Sequence, residues 1–217
     1  RERFRVRLVP AFEQLGDRSG VSWARGLLAY IHHFGRRNRE ALELADAVYD
    51  EARRWGDEWG ASMMLNLQAS IRLWSGEIDA ARGLSERSLS GFRRIDDRFG
   101  VVQAMSTLNR ALVASGRSAD AERGVEEILA LADSFGEMAF PAMAAAGASM
   151  HAGRGERATE LAAEAIGHLG VTGANVDEGR VVLAFGRLLS GDSEAALAEL
   201  LAVAVDRQSS STKGVRA

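Results

Sequence analysis

The sequence predicts an all-α protein, an α-solenoid of about five helix-turn-helix repeats stacked as a right-handed superhelix, and three observations lead there. Written in rows of 40 residues, Gly16, Gly56, Asp96 and Gly136 share a column. They are preceded by Leu15, Trp55, Ile95 and Phe135 and followed by Asp17, Asp57, Asp97 and Glu137. A second column inside the rows holds Gly76, Gly116, Gly153 and Gly191, each with an alanine five residues later: Ala81, Ala121, Ala158 and Ala196. Between the columns, apolar residues recur at i, i+3 and i+4, as in Leu84, Leu89, Phe92 and Ile95 or Val125, Ile128, Leu129 and Ala132, and no alternating strand pattern runs through them.

Both columns are stop-and-start signals. An apolar residue closing a helix, a Gly or Asp able to take the left-handed conformation, and an Asp able to cap the next helix together make a joint. The stretch GDEWG (56–60) is therefore punctuation rather than a cation or phosphate site, and GDRSG (16–20) and DDRFG (96–100) repeat it. The first row carries Ala41 in register but Arg36 where the others have glycine.

The elements follow in order. Residues 1–15 are the helical remnant of a preceding repeat, and 16–207 hold the repeats. The expected helices are 18–34 and 38–55, 58–74 and 78–95, 98–114 and 118–135, 139–152 and 156–169, and 175–190 and 193–207. Pro10 falls in the irregular first segment, and Pro141 in a first helical turn, which tolerates it. The tail QSSSTKGVRA (208–217) has lost the pattern and reads as disordered. Repeats of this length cannot bury their apolar faces alone and must stack on their neighbours. Ala29, Ala69, Ala146 and Ala184, seven residues before the turn, mark where paired helices approach closely, and Asn109 interrupts that column.

Composition removes several function classes. The chain has 217 residues, 47% of them hydrophobic, enough for a continuous core. Its 27 Lys plus Arg against 30 Asp plus Glu give a net charge of -3, which offers no general attraction to nucleic acid or an anionic membrane, RERFRVR at the start excepted. With no cysteine there is no disulfide, thiolate nucleophile or Cys-ligated zinc, in keeping with a cytoplasmic protein. The apolar run 138–150 falls short of the roughly 20 residues of a spanning helix. Arg1 is not an initiator Met and no signal-peptide pattern follows it, so a larger parent chain is expected.

No pattern for catalysis, metal or cofactor survives its context. His32 and His33 point about 100° apart on a helix and cannot form an i, i+4 metal pair. His151 and His168 lie on different helices without acidic partners at ligand spacing. G-x-G in AGRGERA (152–158) joins two helices instead of following a strand, so a dinucleotide reading fails. GASMH (147–151) lacks the final glycine of a nucleophile elbow and sits inside a helix, so Ser149 reads as a packing residue. Asp57 with Glu58 and Asp96 with Asp97 recur at helix starts, where carboxylates meet the helix dipole favourably.

The small residue seven before the turn, the turn glycine and the alanine five after it resemble the tetratricopeptide (TPR) pattern, stretched from about 34 residues to about 40. Leu65 and Met105 stand at positions where that family often has aromatics, and no proline closes the units. FEQLGDRSG and FRRIDDRFG look like the TPR regions of large bacterial regulators of the MalT-like LuxR type and the AfsR type. That resemblance, over about residues 12–207, implies a non-enzymatic sensor or interaction segment attached to NTPase and DNA-binding domains. The chain itself has no P-loop and no recognisable helix-turn-helix after residue 207.

The TPR alignment implies which residues of each first helix face a concave groove. They are Trp23, Tyr30, His33 and Phe34, then Met63, Asn66, Ser70, Leu73 and Trp74, then Gln103, Ser106 and Arg110, and finally Phe140, Met143, Met150 and His151. Aromatic and Met side chains with interspersed polar groups make a recognition surface for a protein, a peptide or a small effector, and the same side chains also suit inter-repeat core. Asn66 could clamp a peptide backbone and Arg110 could meet a carboxylate. Other readings are a peptide-pheromone receptor scaffold and a ligand-free docking or homodimer module burying Trp59 and Phe99. An enzyme ranks behind both.

Overall fold

The computed structural model describes the backbone of residues 2–133, 139–172 and 177–214, and side chains over most of 8–131, 142–168 and 177–204. Among the described residues every regular element is a helix. These are α1 (Glu2–Gln14), α2 (Arg18–Phe34), α3 (Asn38–Trp55), α4 (Glu58–Trp74), α5 (Ile78–Arg94), α6 (Arg98–Ala114), α7 (Ser118–Asp133), α8 (Ala139–His151), α9 (Gly155–Thr172), α10 (Asp177–Leu189) and α11 (Ser193–Gly214). The chain is an α-solenoid of two-helix repeats, and it divides into two units, Arg1–Ala111 and Leu112–Ala217.

The joints form as the sequence chemistry requires. Asp17, Asp57, Asp97 and Asp192 accept hydrogen bonds of 2.9–3.1 Å from the backbone N–H three residues on, that of Gly20, Gly60, Gly100 or Ala195. Each cap satisfies a donor that the first helical turn leaves without a partner. The turn positions are left-handed even where the column lacks glycine: Arg36 has φ 59° and Asp96 φ 54°. Holding Arg36 there costs about 1–2 kcal/mol of local strain, which the packing on both sides of the turn offsets.

In the first unit, Ala29, Ala41, Ala45, Val48, Met64, Leu67 and Ile71 form one apolar cluster at the meeting of α2, α3 and α4. The second unit has its own cluster, built on Val125, Ala145, Ala146, Ala148, Leu161, Ala162, Val182 and Leu183. Both alanine columns are buried, and so is Asn109. Small side chains let paired backbones approach closely, so the columns are packing columns.

Most helix bounds match the sequence reading within a residue or two, and two departures are larger. Helix α9 runs to Thr172, past the expected end at 169. Helix α11 runs to Gly214 instead of ending at 207, because no Gly or Pro interrupts residues 193–213 and loss of the apolar pattern alone does not stop a helix. The ends expected at 135 and 175 fall outside the described residues.

Candidate functional site

The residues expected to face the groove gather mainly on α2, α4 and α6 of the first unit. Tyr30 on α2 donates its hydroxyl to the Met63 carbonyl at 3.2 Å and also bonds to the Asn66 side chain. Desolvation pushes the Tyr30 phenol well above its ordinary range, and the Asn66 bond partly opposes that rise. Three residues on, His33 bridges the two repeats: Nδ1 lies 3.0 Å from Asn38 Oδ1 and Nε2 lies 3.2 Å from Ser70 Oγ. Phe34 packs its ring 6.2 Å from that of Tyr30 and 5.7 Å from that of His33. Both ring nitrogens of His33 are thus engaged in positioning.

Trp74, the last residue of α4, is 68% exposed, and the Arg110 guanidinium of α6 lies 5.7 Å from its ring centroid. A cation over an indole face at this range contributes about 0.5–1 kcal/mol at an exposed site. More important for recognition, it presents a flat apolar ring and a cation side by side. Such a pair can take an apolar side chain and a carboxylate together.

Several expectations change. Asn66 is only 6% exposed and its Oδ1 has no hydrogen-bond partner, so it holds Tyr30 from within the repeat interface and does not line open space. Ser106 turns its hydroxyl back to the Val102 carbonyl at 2.6 Å. Met63 packs against the apolar cluster of the first unit, and Met143 and Met150 pack against that of the second, so they belong to the core alternative. Trp23 is half exposed and Gln103 part-buried, neither with a side-chain hydrogen bond among the described residues. The side chain of Phe140 lies outside the described residues, and Met143 belongs to the second unit.

Sequence reasoning missed the polar ties between helices, within a repeat and from one repeat to the next. Gln68 donates to Asp46 at 2.7 Å, Arg25 pairs with Glu51 at 2.6 Å, and Arg87 donates to the Tyr49 hydroxyl at 2.8 Å. These partners lie 22 to 38 residues apart, and no local spacing rule pairs them. Among the described residues no group of three His, Asp or Glu is placed to hold a metal ion, and no helix is long and apolar enough to cross a membrane.

No family model matches the chain. Over 111 residues it is 31% identical to the regulatory protein AfsR of Streptomyces griseus, a stretch that is 51% of this chain and 11% of that protein. The chain thus spans about a tenth of the relative's length and is similar to a TPR-like region of a regulator. A structure of a Podosopora anserina protein assigned as a kinesin light chain, with nearly identical TPR-like repeats, superposes with a TM-score of 0.58. It shares 17% identity and covers 85% of this chain and 95% of that one. A glutamine-to-methionine variant of that protein gives a TM-score of 0.59 at 17% identity, covering 87% and 95%. At that identity the likeness concerns the fold, a TPR-like α-solenoid.

Proposed function

We propose that this chain is a non-enzymatic sensor and interaction region of a multidomain bacterial regulator, cytoplasmic, with NTPase and DNA-binding domains elsewhere in its parent. It holds a peptide, a protein segment or a small effector on the α2–α4–α6 face of its first unit. The observation that carries this reading is the exposed Trp74 ring beside the Arg110 guanidinium, two groups from adjacent repeats joined at one point of the surface. The similarity to part of AfsR supports the regulator setting. Arg110 meets a carboxylate, Trp74 covers an apolar side chain, and Tyr30 with Asn66 keeps the α2–α4 joint fixed beneath them.

The test is a calorimetric titration of a partner segment, identified by capture on the wild-type chain, against Arg110→Ala, Trp74→Ala and Asn66→Ala proteins with intact helical circular dichroism. Loss of a charge-assisted contact costs about 1.5–3 kcal/mol, so Arg110→Ala weakens binding at least about tenfold. Equal affinity in the Arg110 and Trp74 variants would move the site to the edge carrying Trp59 and Phe99, where the docking reading places it.

A further inference from the structure

Beyond that face, we infer that a cleft in the second unit, between α7, α8 and α9, is a separate binding site for a small organic anion. The cleft has a volume of about 390 Å³. Its floor is Ala121, Ala148 and Ser149, and Arg123, Arg154 and Arg157 stand on its rim with one carboxylate, Glu126.

The repeat explains why space opens at this joint. Ser149 lies four residues before the turn glycine Gly153, and the matching residues of the other repeats are His32, Arg72, Leu112 and Arg187. Each of those has a long side chain. Arg72 reaches Glu77 at 2.9 Å, Arg187 reaches Glu199 at 3.0 Å, and Leu112 is buried. A serine in this column vacates volume that the other repeats fill, and unfilled volume in a packed repeat is destabilising. The position therefore sacrifices packing, as binding sites do.

The hydroxyl exposed by that exchange has no internal use. Ser149 is 5% exposed and its Oγ makes no hydrogen bond among the described residues, although it borders the cleft. Ser62, Ser75, Ser106 and Ser190, on or ending the first helices of other repeats, each return the hydroxyl to a main-chain carbonyl. A nearly buried donor without a protein partner is served by a ligand or a water.

The cleft is lined by three arginines and one glutamate. Arg123 pairs with Asp120, and Arg157 with Glu160 at 3.3 Å, but both arginines are exposed, and such surface pairs contribute little and exchange readily for a ligand oxyanion. At the joint entering α9, Arg154 follows the turn glycine Gly153, as Arg37 and Arg117 follow the turn residue at the same joint of their repeats. A guanidinium has no acceptor, so it cannot cap the first-turn N–H groups and instead adds to the positive end of the helix dipole. An apolar floor, one buried hydroxyl and a cationic rim match a carboxylate or phosphate head on a compact apolar body. The volume lies within the range of about 300–1,000 Å³ usual for small-molecule sites.

The test is nuclear magnetic resonance titration of the full 217-residue chain with benzoate and with phenyl phosphate, against sodium chloride at matched ionic strength. The inference predicts saturable shifts at Ser149, Ala152, Arg154 and Arg157 with at least one organic anion, and the tighter of the two identifies the head group. Ser149→Leu, which restores the side chain of Leu112, and the double variant Arg154→Gln with Arg157→Gln each weaken that response at least tenfold, while Arg110→Ala leaves it unchanged. Shifts reproduced by chloride, no saturation up to about 20 mM of either anion, or an unchanged response in the double variant with intact helicity would overturn it.

Discussion

Gly100→Ala places two opposing effects on one residue and lets the packing decide between them. Gly100 lies in the first turn of α6, and replacing glycine by alanine in a helix ordinarily stabilises by up to about 1 kcal/mol. Here a Cβ built on Gly100 falls 2.2, 2.4 and 2.5 Å from three ring carbons of Phe92, which is fully buried at the end of α5. Ordinary carbon contacts sit near 3.5–4.0 Å, so the buried ring must retreat by about 1 Å or more. Overpacking of this kind costs about 1–3 kcal/mol, exceeding the propensity gain and leaving a net loss of about 1–2 kcal/mol. The assay is urea unfolding followed by helical circular dichroism, run as a cycle with Phe92→Ala. In the Phe92→Ala background the same Gly100→Ala change becomes neutral or stabilising. Phe12 and Gly20 repeat the arrangement, with a built Cβ 2.3 Å from the ring, whereas Gly60 meets only the side chain of its own cap, Asp57. If Gly100→Ala raises the urea midpoint in the wild-type background, the account of the second glycine in each joint fails.

Other perturbations read other parts of the account. Ala81→Leu destabilises by about 1–3 kcal/mol because Ala81 is fully buried where paired helices meet, and an unchanged urea midpoint would show that the column has room. Asp57→Ala removes the 2.9 Å cap to Gly60 and lowers stability by about 1 kcal/mol, which Asp57→Asn largely restores in the same assay. Because the folded state raises the Tyr30 phenol above its unfolded value near 10, the stability it confers is complete below about pH 10 and falls as pH rises toward the folded value. Unfolding midpoints measured between about pH 9 and 11 should drop less in Tyr30→Phe than in wild type.

The repeat was legible because its punctuation is chemical and local: at four joints an Asp caps the N–H three residues on, and at each described turn one left-handed residue follows the helix, with Arg36 and Asp96 serving where glycine is missing. Pairing of Trp74 with Arg110 was legible only as two inward positions on neighbouring repeats, since the ring and the cation meet through a separation no spacing rule encodes. Asn66 went the other way. A polar residue at an inward position reads as a ligand contact, but Tyr30, 36 residues earlier, takes its amide and draws it into the interface. The cleft beside Ser149 was hidden for a related reason: it shows only when that serine is set against the longer side chains at the same column of the other repeats.

The most direct measurement of the proposed role is photo-crosslinking from one site on each side of the first unit. A benzoylphenylalanine replaces Trp74 on the α2–α4–α6 face in one protein and Glu86, exposed on α5, in another. Each is mixed with the partner segment used in the calorimetric titration. The account predicts efficient crosslinking from position 74, abolished by adding Arg110→Ala, and none above background from position 86. Crosslinking from 86 and not from 74 would contradict it.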